Sequence, residues 1–314
     1  MTRILVAGAT GAVGQRLVPL LIDDGHEVVA LTRTPAKADA LRALGALPVV
    51  VDALDREAVH GAVLGAEPEV IVHQMTALAG GTDLRRFDRT FALTNRLRTE
   101  GTRHLLDAGR AAGTRRLIAQ SFTGWPFARV GGPVKDEDAP LDGAPPRAQR
   151  ETLAAIRELE AMVTGASASG LEGVVLRYGG LYGPGTSLSG DGELTLLVRK
   201  RRLPVVGGGE GRSSFTHVDD AAGGVVATLD GPQGVFAIVD DEPARAADWI
   251  PALAAAVGAP APRHVPRWVG RLAAGEAGAT MMTASRGASN ARAHDVLGWR
   301  PRWPSWREGF RHAL

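Results

Sequence analysis

The run Gly8-Ala9-Thr10-Gly11-Ala12-Val13-Gly14 has the residue types and spacing to hold a pyrophosphate. Glycine lets the backbone turn tightly and approach a ligand that a Cβ would block, and the N–H groups of a following helix start point at the anion. The loop predicts dinucleotide binding through Gly8, Thr10, Gly11, Ala12, Val13 and Gly14. A second pair of residues bears on which dinucleotide. An NAD site places Asp or Glu at the end of the second strand, but residues 28 to 38 contain no acid and carry Arg33 and Lys37 instead. Two cations one helical turn apart suit a 2′-phosphate, and the arginine can also stack on adenine. The expected cofactor is NADP, with NAD the alternative.

Composition narrows the remaining chemistry. The chain has 314 residues and no cysteine, which removes disulfides, zinc–thiolate sites and thiol nucleophiles. Its histidines stand at 26, 60, 73, 104, 217, 264, 294 and 312, and no two have the three- or four-residue spacing of paired ligands on a helix, so no metal site is expected. Neither a Gly-Lys-Ser/Thr phosphate loop nor a Gly-x-Ser-x-Gly elbow occurs. A net charge of +2 gives no reason to expect nucleic acid, despite a pI of 9.4. The apolar runs fall short of the roughly 18 residues of a membrane span, and no basic-then-apolar leader opens the sequence. Cytoplasmic residence is expected.

Positioning the glycine loop requires a strand before it and a helix after it. Ile4–Ala7 reads as that strand, and Val28–Leu31, Pro48–Val51, Val70–His73, Arg116–Ser121, Val174–Arg177 and Val235–Val239 read as further strands with helical periodicity between them. The alternation predicts an α/β fold, a doubly wound parallel (Rossmann) sheet with helices on both faces. From about Leu181 the glycines multiply and the pattern breaks into loops, which marks a smaller carboxy-terminal substrate lobe. The expected division is residues 1–180, with 213–240 returning, for dinucleotide binding, and 181–212 with 241–314 for substrate.

Six segments, taken together and in order, resemble the extended short-chain dehydrogenase/reductase family, which contains nucleotide-sugar epimerases and dehydratases. They are Gly8–Gly14, Val72-His73, Gly101-Thr102-Arg103-His104-Leu105-Leu106-Asp107-Ala108, Leu176-Arg177 with Leu181-Tyr182-Gly183-Pro184, Phe215-Thr216-His217-Val218-Asp219-Asp220, and Leu297-Gly298-Trp299-Arg300-Pro301. The resemblance implies an NAD(P)-dependent enzyme, places Asp52, Ala53, His73 and Met75 along the cofactor, and makes a homodimer plausible.

The same resemblance exposes a gap. The family's proton transfer uses a Tyr-x-x-x-Lys pair, whose spacing puts both side chains on one helix face. This chain has two tyrosines, Tyr178 and Tyr182, and four residues beyond them stand Tyr182 and Thr186. Aligning the helix on Glu160 puts Thr152 at the tyrosine position and Ile156 at the lysine position. The hydroxyl that polarises substrate falls near Phe122, flanked by Ser121 and Thr123. Candidate catalytic residues are therefore Ser121, Thr123, Thr152 and Tyr178, with Glu151, Arg150, His73 and Tyr182 as further proton sources. The nucleotide-sugar signature is imperfect too, since Gly180 stands for its asparagine and its arginine is displaced to Arg212. A small or apolar molecule fits better, against Trp125, Phe127, Met281 and Met282.

The function expected is an NADP-dependent oxidoreductase acting on a small-molecule carbonyl or alcohol through a non-standard proton relay. The alternatives are a redox-inactive NADP-binding sensor or scaffold, and a non-redox isomerase or cyclase on the same fold.

Overall fold

The computed structural model describes residues 1–78 and 83–314. Its centre is a seven-stranded sheet built from β1 (Arg3–Ala7), β2 (Glu27–Thr32), β3 (Leu47–Val50), β4 (Val70–His73), β5 (Arg116–Phe122), β6 (Glu172–Tyr178) and β7 (Gly234–Ile238). The spatial order is β7-β6-β5-β4-β1-β2-β3, and every pairing is parallel. Ile4, Leu5, Val6 and Ala7 are all fully buried, as are Val70, Ile71 and Val72. A central parallel strand is covered on both faces, so it reads as a continuous apolar run rather than an alternating one.

Helices α1 (Gly14–Asp23), α2 (Ala38–Ala43), α3 (Arg56–Ala66), α4 (Phe87–Arg96), α5 (Thr102–Ala111) and α6 (Arg150–Thr164) cross between or flank these strands. Further on come α7 (Glu193–Arg199), α8 (Val218–Ala227), α9 (Ala246–Ala256), α10 (Arg267–Ala284), α11 (Ala291–Leu297) and α12 (Trp306–His312). Leu17, Leu21, Ala221 and Val225 of α1 and α8 pack with Ile4 and Val6 on one side of the sheet. Val59, Val63, Leu105 and Leu159 of α3, α5 and α6 pack with Leu5 and Ala7 on the other. The doubly wound layering follows from this two-sided apolar burial.

A third core gathers Tyr182, Phe215, Trp249, Ile250, Leu253, Trp306 and Phe310. Short parallel pairs tie the segments around it: Gly180–Tyr182 with Phe215–His217, and Val205–Val206 with His264–Val265. Strand Val134–Lys135 likewise pairs with Gly287–Ala288.

Strand β1 has β2 on one side and β4 on the other. The chain reverses its winding there, and the crevice beyond the carboxyl ends of these strands is where such sheets take ligands. Helix α4 does not stop cleanly beside that crevice. It widens through a π-turn at Leu97–Gly101 before continuing as α5.

Candidate cofactor and substrate site

The glycine loop opens the crevice. Gly8 has φ +95°, and a Cβ there would lie 2.6 Å from the Gln74 carbonyl carbon. A Cβ on Gly14 would lie 2.3 Å from the Gly8 carbonyl oxygen. These two positions accept only hydrogen because the loop folds onto itself and onto the end of β4. Val13, at the N-cap of α1, gives that helix no side-chain cap; the Gln15 and Arg16 N–H groups of its first turn are taken by the Gly11 and Val13 carbonyls, so an anion would meet the loop that leads into the helix.

A cavity of about 710 Å³ runs from this loop along the carboxyl edge of the sheet. Of the residues predicted for the cofactor, Gly8, Thr10, Gly11, Ala12, Arg33, Lys37, Asp52, Ala53 and Met75 line it. Val13, Gly14 and His73 do not; they are buried behind the wall and shape it. Asp52 accepts from Leu54 N–H at 3.0 Å. Arg33 and Lys37 are exposed, on the rim beyond β2.

His73 is committed to the backbone. Its Nδ1 accepts from Met75 N–H at 3.1 Å, and its Nε2 lies 3.3 Å from the Leu97 carbonyl, which fixes the Nε2–H tautomer. Burial lowers its pKa from 6.5 to about 4, opposed by the Leu97 hydrogen bond. A neutral imidazole with both nitrogens engaged has no proton to deliver, which removes His73 from the proton sources.

The predicted hydroxyls separate. Ser121 is not on the cavity wall; it donates to Glu160 Oε1 at 2.7 Å on the α6 side of β5. Thr123, just past the strand, lines the cavity with a buried, unpartnered hydroxyl. Thr152 also lines it, accepts from Asn95 Nδ2 at 3.0 Å and donates to Asp88 Oδ1 at 2.7 Å. Tyr178 is wholly buried, accepts from Gln74 Nε2 at 3.2 Å and donates to the Ala221 carbonyl at 3.3 Å. Burial drives its pKa far above the ordinary phenol value, so it holds its proton. Tyr182, Arg150 and Glu151 lie outside the cavity wall, and Ile156 is buried on α6.

The far half of the cavity is aromatic. Phe87 stacks on Phe91 at 4.4 Å and meets Trp125 edge-on at 5.2 Å, and Phe122 lies 6.4 Å from Trp125. Phe215, Trp249 and Met281 complete this wall. The Trp249 indole N–H and Gln74 Oε1 are buried without partners, leaving a donor and an acceptor beside apolar faces. Trp125 and Met281 are where the sequence expectation put them, whereas Phe127 packs with Ala237 and Val239, and Met282 against the third core.

Sequence reasoning missed Arg98. It lies in the π-turn, borders the cavity and is 7% exposed. Its signal was position: three residues before Gly101, at the start of a recognisable family segment.

A parallel doubly wound sheet with a glycine cradle at its crossover defines a dinucleotide-binding protein of the Rossmann type. A family model described as the NAD dependent epimerase/dehydratase family matches residues 4–238, and the chain belongs to that family, within the extended short-chain dehydrogenases/reductases. A 3-diazoavenalumate denitrifying reductase from Streptomyces sp is 50% identical over 313 residues, covering 98% of this chain and 99% of that protein. Among solved structures, the UDP-glucose 4-epimerase of Thermotoga maritima with UDP-glucose superposes with a TM-score of 0.77 at 21% identity, over 100% of this chain and 97% of that one. The UDP-glucose 4-epimerase of Thermus thermophilus in complex with NAD gives 0.72 at 24%, over 99% and 97%. Family and relatives together support an oxidoreductase of this type. No helix among the described residues is long and apolar enough to cross a membrane.

Proposed function

We propose that the chain is an NADPH-dependent reductase that replaces the diazo group of an aromatic diazo compound by hydrogen, with release of dinitrogen. The observation that carries the reading is the aromatic half of the cavity, where Phe91, Phe122 and Trp125, backed by Phe87, line the wall, while the His73 imidazole and the Tyr178 hydroxyl are both committed to backbone groups. The full-length similarity to a denitrifying reductase supplies the reaction class.

The charge balance of this reaction suits such a site. Reducing a carbonyl by hydride leaves an alkoxide, which needs an acid. An aryl diazonium ion is already a cation: Ar–N₂⁺ and one hydride give Ar–H and N₂, both neutral, with no proton taken up. The dinucleotide supplies the hydride. The chain's own residues then hold and orient. The glycine loop from Gly8 to Gly14, at the entry to α1, would take the pyrophosphate, and Arg33 and Lys37 the 2′-phosphate. Ring faces stack on the substrate, Thr123 and Trp249 donate to its polar atoms, and the buried wall excludes water that would compete with hydride.

The test is to incubate the protein with NADPH deuterated at C4 and an aryl diazonium or quinone diazide. The expected outcome is N₂ release with one deuterium on the ring carbon that bore nitrogen. Tight NADPH binding with no N₂ release and no cofactor oxidation across a diazo and carbonyl panel would favour the sensor or isomerase readings.

A further inference from the structure

Arg98 stands on the side of the cavity where α6 presents Thr152 and no cation: the arginines of α6, Arg150 and Arg157, do not line the cavity, and Ile156 occupies the position the resemblance gives to a lysine. In the π-turn that widens α4 into α5, the Arg98 side chain is turned inward to border the cavity. Single π-turns are uncommon and concentrate at functional sites. Among the described residues its guanidinium makes one hydrogen bond, to Asn95 Oδ1 at 3.3 Å, and no ion pair. Glu160, the acid whose field reaches it, is engaged by Arg177 at 2.9 and 2.8 Å and by Ser121 at 2.7 Å. A guanidinium carries five N–H donors, and a buried one with most of them idle is costly unless a ligand takes them.

The sheet says which ligand. With the pyrophosphate at Gly8–Gly14 and the adenosine end at Arg33, Lys37 and Asp52 beyond β2 and β3, the other half of a dinucleotide must run the opposite way, over β4 and β5. Met75, Thr123, Thr152 and Arg98 border the cavity on that side. Asn95 bridges Arg98 to Thr152, so the guanidinium is held on the side of the cavity where α6 presents Thr152.

We propose that Arg98 is the positioning residue of the nicotinamide half, its N–H groups holding the ribose diol from the α4–α5 turn in place of a cation on α6. This rests on the dinucleotide reading above. A fixed cation there also discriminates between cofactor states: the reduced nicotinamide ring is neutral and the oxidised ring positive, so Arg98 favours the reduced form by simple repulsion of the other.

Binding by the full chain tests this without turnover. Three probes are titrated: NADPH, NADP⁺, and adenosine 2′,5′-bisphosphate, which lacks the second ribose and nicotinamide. Arg98→Met is expected to lose about tenfold or more in NADPH affinity, from the charge-assisted hydrogen bonds removed. It loses less for NADP⁺, and nothing for the bisphosphate, whose unchanged binding also certifies the fold. Arg98→Lys retains most of the NADPH affinity. Unchanged NADPH binding in Arg98→Met overturns the proposal, as does an equal loss for all three probes. A wild-type chain that binds the bisphosphate no more weakly than NADPH overturns it while leaving the 2′-phosphate site intact; one that binds none of the three overturns the dinucleotide reading itself.

Discussion

Glu160 on α6 grips Arg177 on β6 with both carboxylate oxygens, Oε1 receiving Nε at 2.9 Å and Oε2 receiving Nη2 at 2.8 Å. Both side chains are at most 10% exposed. The same Oε1 takes the Ser121 hydroxyl, and the remaining Arg177 nitrogen Nη1 donates to the Glu137 carbonyl at 2.9 Å. One carboxylate thus pins α6, β5 and β6 together behind the cavity wall.

Breaking that pair from one side leaves a buried charge without its partner. Glu160→Gln is expected to lower the unfolding free energy by about 3 to 5 kcal/mol, read from urea denaturation. The double variant Glu160→Met/Arg177→Met removes both charges and is expected to recover much of the loss. A single variant with unchanged stability would mean that water or another group compensates the guanidinium.

Cofactor choice should follow the two rim cations. Arg33→Ala and Lys37→Ala are each expected to weaken NADPH about tenfold while leaving NADH within about twofold, by fluorescence titration. Because both groups are exposed, raising the salt concentration should narrow the wild-type preference as well. Equal losses for the two cofactors would remove the 2′-phosphate from their role.

The gap in proton chemistry makes its own prediction. Thr152 binds Asn95 and Asp88, a structural pairing between α6 and α4. If hydride reaches a substrate that needs no proton, Thr152→Val keeps the rate of N₂ release within about threefold, and the rate of the hydride step is flat across neutral pH. A loss of about 10²-fold or more, the scale of a general acid, would return Thr152 to the chemistry.

The sheet was legible in the sequence because its central strands are covered on both faces and cannot be anything but apolar runs; Ile4–Ala7 and Val70–His73 are examples. The glycine cradle was legible for a related reason, since Gly8 and Gly14 stand where no Cβ fits. The hydroxyls beyond β5 were not resolved, because side chains alternate along a strand and one residue of register decides the face. Gln120 and Phe122 turn to the cavity, which sends Ser121 to Glu160, and Thr123 returns only because the strand has ended. Arg98 was invisible for a different reason. An arginine on a helix reads as solvated, and only the π-turn and the packing of α4 against α6 turn it inward.

His73 gives a pH signature with a definite sign. Its folded pKa is depressed, from 6.5 to about 4, chiefly because burial between Leu97 and the sheet disfavours the imidazolium. The unfolded chain therefore binds this proton more readily than the folded one. Above pH 6.5 the histidine is neutral in both states and has no effect on the balance. As pH falls from 6.5 towards 4 the unfolded state gains the proton first, and stability declines, by about 3 kcal/mol when both states are protonated. His73→Gln, which can still serve one of the two backbone groups, is expected to start less stable at about pH 7.5 but to lose less between about pH 7.5 and about pH 4.5 than the wild type. The comparison is made by denaturant unfolding at each pH, so that contributions from other groups cancel. Parallel pH dependences in the two proteins would place the titrating group elsewhere.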